Sequence, residues 1–361
     1  MSYSYDQGGQ AACANGHLTT VTSGSQAYTR GYDCRGRVQS STQSGYPAMS
    51  YTYFLNSALH TFTFPSGRQQ TITYDNEGRA NGVTGMQQGA STTYISALSY
   101  WPNGTPQQIT TGAASPAAIQ QFCQNNRQQI TGIVVAGTAV SNFNTPSVCA
   151  TPAVPSNPTL FLRLSYGTTG ANSGNLSSEQ IVTSSVNVRQ NFTYDAYNRL
   201  RTANEINNNA GGAQGWAQSY LMDALGNRAL DLSNSTYIPN PDQTPEALSQ
   251  FSNNQWSPGV GYAYDGGNQT STGTKNSPGI VANTYSDDAE GRVITANIAG
   301  TGNVTYSYDG EGRRTQKNVG GVVTNFVYDS TGALVAEYST NPAPATGTQY
   351  LFADHLGVPG W

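Results

Sequence analysis

The sequence predicts an all-β protein made of antiparallel β-hairpin repeats, and three observations carry that prediction. A short phrase, Tyr-Asp followed by Gly three residues after the Asp and often by Arg, recurs from one end of the 361 residues to the other. Charged residues are only 10% of the chain, against roughly a quarter in an average globular domain, while Gly (40) and Tyr (23) are abundant. Tyr, Thr, Ser and Asn outnumber the straight-chain helix formers, which favours half-buried strands with a polar, uncharged outer face.

The clearest copy is Tyr306-Ser307-Tyr308-Asp309-Gly310-Glu311-Gly312-Arg313. Tyr306 and Tyr308 leave one face of a strand while Thr305 and Ser307 leave the other. Asp309 opens a turn by accepting a bond from backbone further on, and Gly312 closes it with the positive φ that such loops require. Arg313 starts the return strand, where its guanidinium can reach Asp309 or lie over a tyrosine ring. The same register occurs at Asp6 (after Tyr5) with Gly9, at Tyr32, Asp33, Gly36 and Arg37, and at Tyr74, Asp75, Gly78 and Arg79. It returns at Asp223 with Gly226, at Asp288, Gly291 and Arg292, at Tyr328, Asp329 and Gly332, and at Asp354 with Gly357. Two copies, Tyr194, Asp195 and Arg199 with Asn198, and Tyr264 and Asp265 with Asn268, put Asn in the glycine place. Asn tolerates the left-handed conformation next best, so the turn is expected there too.

In chain order, residues 1–80 read as regular repeats, including one at Phe62 to Arg68 that lacks Asp but keeps the Gly-Arg exit. Residues 81–160 are degenerate: Tyr94 to Ile109 and Phe122 to Ile130 are worn copies, and 138–158, rich in Pro and Asn, reads as a surface excursion. Residues 160–361 are regular again, with insertions at 204–215, expected to be a loop, and at 233–261. The second is expected to hold one short helix, Pro245 to Phe251, with Thr244 as N-cap. Between 265 and 354 the Asp positions lie 20 to 25 residues apart, one hairpin per repeat. The whole of 1–361 therefore reads as a single array of units that bury a face only against their neighbours.

Several function classes find no support. A net charge of -4 offers no basic face for nucleic acid, and no apolar run approaches the roughly 20 residues of a membrane span. Cys13, Cys34, Cys123 and Cys149 contain no C-x-x-C pair, so no metal site is expected. Isolated half-buried thiols are the first expectation, with a Cys123–Cys149 disulfide the alternative in an oxidising compartment. His17, His60 and His355 stand apart and no nucleophile elbow is present, so neither catalytic residues nor a cofactor site is expected. Recurrence at one turn position makes the Asp and Arg residues turn formers and repeat-to-repeat ion pairs rather than catalytic groups. The Tyr ladder reads as sheet packing, with glycan stacking as the less favoured use.

Repeated Tyr-Asp-x-x-Gly-Arg resembles the YD repeat of bacterial Rhs proteins, of the C component of insecticidal toxin complexes, and of teneurins. Tyr166-Gly167-Thr168-Thr169, Asn172 to Leu176, and Tyr350 to Gly357 strengthen the match. Within the last, Asp354-His355-Leu356-Gly357 resembles a phrase near the end of the Rhs core, which implies a structural role for His355. The resemblance implies a long curved or spiralling sheet, here a partial shell, and an extracellular or cell-surface location. It also implies a structural role for the chain, which would enclose a C-terminal toxin or other cargo polypeptide together with remaining shell segments. After Gly357 the family pattern is not continued and no toxin domain follows, so the chain is expected to be a fragment of a core. It starts within a repeat, so no signal peptide is expected. Its exposed repeat edges suggest a homo-oligomer or filament. The alternative function is a surface module recognising glycans or protein, for which Trp216, Tyr237 and Trp256 would form one exposed patch.

Overall fold

A computed structural model describes all residues except 10–12, 25, 88, 113–117, 168–169, 238–243, 257–260, 275–276, 340–347 and 350–361. Strands dominate, and each pairs antiparallel with its sequence neighbour in sheets of 18 and 9 strands, with one two-stranded ribbon besides. The chain divides into two compact units: Met1–Ser96 with Asn283–Trp361, and Ala97–Ala282.

In the first unit, consecutive hairpins run from Ser2–Tyr5 and Leu18–Ser23 through Gln26–Tyr32, Val38–Gln43, Met49–Tyr53, Leu59–Thr63 and Gln69–Tyr74. A later run contains Val293–Ile298, Gly302–Tyr308, Arg314–Val319, Val322–Tyr328 and Leu334–Ser339. Its core draws on both runs: Tyr28, Met49, Tyr51, Phe62 and Phe64 pack with Val327, Val335, Ala336 and Tyr338. A sheet with one apolar face must cover that face, and here each run covers the other.

The second unit covers its sheet differently. Strands Ala118–Gln124, Ile130–Ala136, Leu160–Ser165 and Ser178–Val182 are consecutive neighbours. Residues 138–158 are largely exposed, but a few buried side chains anchor them on that sheet. Phe143 and Cys149 are fully buried with Cys123, Val134, Phe161 and Val182, and Gly132 leaves room for the Pro152 and Phe143 rings. The excursion holds a single helical turn, Pro146–Cys149. The excursion is anchored rather than free, because its apolar side chains have a sheet face to fill.

Other expectations are corrected. Residues 204–215 are mostly strand: Leu200–Asn207 and Ala213–Met222 pair around a short 3-10 turn at Asn208–Ala210. The expected helix from Pro245 is absent. Ala247 is extended (φ -149, ψ 142) and only Leu248–Gln250 forms a 3-10 turn before strand Phe251–Ser252. Pro245 instead accepts a backbone bond from Leu230 (2.7 Å), which holds that stretch extended beside a strand. Nor are the cysteines isolated thiols: Cys13 pairs with Cys34 as well as Cys123 with Cys149.

Candidate functional site: a repeated lock and a long-range seam

The recurring unit is a turn defined by two backbone bonds. In the Asp33 copy, Asp33 N–H donates to the Arg37 carbonyl (2.9 Å) and Gly36 N–H donates to the Asp33 carbonyl (2.9 Å). Turns opening at Asp75, Asp195, Asp223, Asp288, Asp309 and Asp329 make the same pair of bonds. So do those at Phe54, Phe64, Trp101 and Asn125, none of which begins with Asp. In every one the fourth residue has a positive φ, even where it is Ser57 (69°), Gln128 (63°) or Asn198 (60°). The worn copies of 81–160 thus keep the geometry of the clear ones.

Asp adds a clamp. Asp33 Oδ1 accepts from the backbone N–H of Arg35 (2.9 Å) and of Arg37 (3.0 Å), while Oδ2 accepts from Arg37 Nε (2.7 Å). Asp75, Asp195, Asp288 and Asp309 repeat the arrangement with Arg79, Arg199, Arg292 and Arg313. Asn227 stands in for Arg at Asp223. Burial works against the charge of Asp33 and Asp75, but the arginine and backbone donors outweigh it and hold both carboxyls below the usual range. The carboxyl of Asp195 is lowered first by the Arg199 backbone N–H, and that of Asp288 by the Arg292 side chain.

These ion pairs lie inside single turns, not between repeats. The tyrosine at the end of the first strand, ahead of an Asp in most copies but of Phe54 and Gly167 in two, is what joins one repeat to another. Tyr32, Tyr53 and Tyr74 donate their hydroxyls to the carbonyls of Leu18 (2.8 Å), Val38 (2.7 Å) and Leu59 (2.7 Å) in the preceding hairpin. Tyr166, Tyr194, Tyr308 and Tyr328 do the same to Ile130, Leu176, Val293 and Arg314. A bulge at the tyrosine, such as Thr52/Tyr53, Thr73/Tyr74 and Ser307/Tyr308, sets this aim, because a bulge re-directs a side chain; the Asp223 turn, whose flanking strands keep an unbroken register, lacks one. Arginines complete the joint by lying over the next repeat's ring: Arg37 over Tyr53, Arg292 over Tyr308, Arg313 over Tyr328. Arg199 instead donates to the Asp223 carbonyl of the next turn (2.8 Å). Burial pushes the Tyr53 phenol up to about 12.

Not every predicted copy takes this form. Asp6 itself has a positive φ (58°) and opens a longer loop that returns at His17, whose carbonyl accepts from the Asp6 N–H. Asp265 pairs directly with Asn268 across Gly266 and Gly267, a tighter hairpin that two adjacent glycines permit. Tyr264 still donates its hydroxyl backwards, to Trp256 (2.6 Å). Asp354, His355 and Gly357 lie outside the described residues.

Within the first unit the Asp309 turn also takes part in a seam between residues about 300 apart in the chain. Asp309 is almost fully buried. Glu311 pairs with Arg30 (2.5 Å) and with Arg313 (2.6 Å). The Arg30 and Arg313 guanidiniums each lie over the Tyr28 ring, 4.7 Å from its centroid, and the Tyr28 hydroxyl donates to the Tyr328 carbonyl (3.3 Å). Burial pushes the Tyr28 phenol far above its ordinary value. Gln43 donates to the Phe326 carbonyl (2.8 Å) and accepts from Tyr328 N–H (3.4 Å), and Tyr51 accepts from Ser330 N–H (3.1 Å). At Gly310 any Cβ would run into Val21, so the tip of this turn must be glycine to sit where it does. Sequence reading found Asp309, Arg313 and Tyr328 but missed Tyr28, Gln43, Tyr51 and Glu311. Tyr28 and Tyr51 sit in tyrosine-rich strands and carried a faint signal; Gln43 carried none.

Such a chain is an antiparallel hairpin-repeat protein whose repeats lock tyrosine to carbonyl. No family model matches it, and no curated protein matches it in sequence. Solved structures do match. The Photorhabdus luminescens Tc holotoxin pore carrying the TccC3 D651A mutation is similar over 91% of this chain at 15% identity, with a TM-score of 0.61. The TcdB2–TccC3–Cdc42 structure matches over 91% at 14% identity with a TM-score of 0.58, and TcdB2–TccC3 over 91% at 13% with 0.54. This chain spans 18% of the length of each of those chains. The Rhs-like resemblance of the Tyr-Asp phrase therefore holds as a likeness of fold. Among the described residues, no helix is long and apolar enough to cross a membrane.

Proposed function

We propose that this chain is a wall segment of an Rhs-type shell, a structural element that encloses a polypeptide cargo and performs no chemistry of its own. The observation that carries the reading is the lock itself. Hairpin after hairpin is fastened to the one before it by a tyrosine hydroxyl, and at several joints by an arginine stack as well, which suits a continuous wall better than a set of loops presented to a ligand. Likeness to Tc toxin structures over nearly the whole chain supports the same reading. The opposite strand face carries uncharged hydroxyl pairs, Thr52 with Thr61 (2.7 Å) and Thr193 with Thr202 (2.6 Å), a surface with little to grip a cargo. On this reading its partners are the cargo and the remaining wall segments, and its place is outside the cell that makes it.

Recognition of glycans or proteins at the surface draws less support: of Trp216, Trp256 and Tyr237 only Tyr237 is exposed, and Trp256 packs edge-on against Tyr262. Protease protection tests the wall reading. An unstructured reporter polypeptide joined after the last described strand should resist digestion in particles seen by negative-stain microscopy, and lose that resistance when the array is denatured. A reporter cut in those particles as fast as the free polypeptide overturns it.

A further inference from the structure

The two disulfides sit in opposite environments. Cys123 and Cys149 are fully buried, whereas Cys34 is exposed and Cys13 half-buried. Cys34 occupies the second position of the Asp33 turn, a turn that already closes through its own backbone bonds and the Arg37 clamp. Cys13 belongs to the long loop that replaces the ordinary turn after Asp6. Among the described residues its other bonds lie mostly inside the loop: Asp6 N–H to the His17 carbonyl (3.1 Å), Gly9 N–H to the Asp6 carbonyl (2.8 Å), Ala14 N–H to the Gly9 carbonyl (3.1 Å), His17 N–H to the Ala14 carbonyl (3.0 Å) and Gly16 N–H to Asp6 Oδ1 (2.5 Å), while the His17 ring stacks on Tyr32 (4.3 Å) just before the Asp33 turn. One covalent bond thus ties the loop to a turn that closes without it.

We propose that Cys13–Cys34 is a thiol-responsive latch, which a small thiol of the glutathione class opens to free Cys13–His17 from the Asp33 turn while the hairpin array stays folded. Disulfide exchange requires a thiolate to reach a sulfur, so access decides which pair reacts. The small thiolate attacks Cys34 Sγ, forming a mixed disulfide and expelling Cys13 as thiolate. A second small thiolate attacks the small-molecule sulfur of that mixed disulfide, releasing the oxidised small disulfide and the Cys34 thiolate. Both protein thiolates take up protons. Two electrons pass from two small thiols to the protein bond, and Cys123–Cys149 is untouched because no thiolate reaches it.

The test uses the intact oxidised protein, reduced glutathione, alkylation and peptide mapping, with amide hydrogen exchange on the same samples. Cys13 and Cys34 should label at least about tenfold faster than Cys123 and Cys149. Exchange at Ala14, Gly16 and His17 should rise, while Gly36 and Arg37 stay protected. Equal labelling of the two pairs, or reduction that leaves the loop amides protected, overturns the proposal. The double variant Cys13→Ala with Cys34→Ala should show the same loop exchange without thiol. If that variant instead loses protection at Gly36 and Arg37, the bond is a structural staple and the latch is wrong.

Discussion

The two compact units solve one problem by different routes. Each has a sheet with an apolar face, yet the first covers it with hairpins about 300 residues away in sequence, and the second with the adjacent stretch 138–158. Aromatic side chains dominate the long-range seam, among them Tyr28, Tyr51, Phe62, Phe64 and Tyr338. The local cover is strapped down by Cys123–Cys149, 26 residues apart. Closing a seam over a long loop costs only slowly more entropy than closing a short one, so both routes are open to a repeat array.

Core truncation should break the comparison most sharply. Phe64→Ala and Phe161→Ala, both at fully buried sites, should each cost about 3–5 kcal/mol, with hydrogen exchange rising chiefly in the unit that carries the change. Next comes the charge buried in the seam. Asp309→Ala removes a buried carboxylate that accepts from the Glu311 and Arg313 backbone N–H and from Arg313 Nε, leaving Arg313 with Glu311 alone, and should cost about 2–3 kcal/mol, whereas Asp75→Ala, whose ion pair is solvent-screened, should shift the denaturation midpoint far less. Cys123→Ala with Cys149→Ala removes the strap and should cost the second unit about 3 kcal/mol, while leaving Tyr28 and Tyr338 as buried as before, as read by quenching of tyrosine fluorescence. Smaller still is one lock: Tyr53→Phe keeps the ring and loses the bond to the Val38 carbonyl, about 1 kcal/mol by chemical denaturation.

Proton linkage separates turn from lock. The carboxyls of Asp33, Asp75, Asp195 and Asp288 are lowered in the folded state. Their contribution is therefore complete above the unfolded value of about 4 and is lost as pH falls below it. Buried phenols have the opposite sign. Tyr46 and Tyr53 rise to about 12 by burial, so their contribution is complete below about 10 and fades as pH climbs through the folded value. Thermal melts should fall off on both sides, and ultraviolet titration should show a class of phenols ionising well after the exposed ones. A melting temperature flat from about pH 7 to about pH 2.5 would remove the clamp from the account of stability.

Much of the architecture was legible because it is local. A turn needs four or five residues, and Asp, Gly and Arg at fixed offsets specify its bonds within their own reach. That is why even Trp101 to Thr105 and Asn125 to Gln129 could be recognised as worn copies. Misreadings fell where a neighbour far along the chain overruled local preference. Pro245 to Phe251 carries helix signals but is drawn out beside Leu230, and 204–215 reads as a loop but is mostly paired strand. Asp265 has the right partner residue, but the Gly266-Gly267 pair offered a shorter path.

By itself the sequence determined the all-β class, the hairpin period and the clamp in most turns, since each depends on propensity and on bonds a few residues long. Only the tertiary structure decided where the tyrosine hydroxyls point, which sheet face meets which, and that Asp309 rather than its equivalents is buried. Those outcomes depend on register across strands and on packing between distant segments, and a repeat that reads the same in every copy carries no mark of which copy will find a partner.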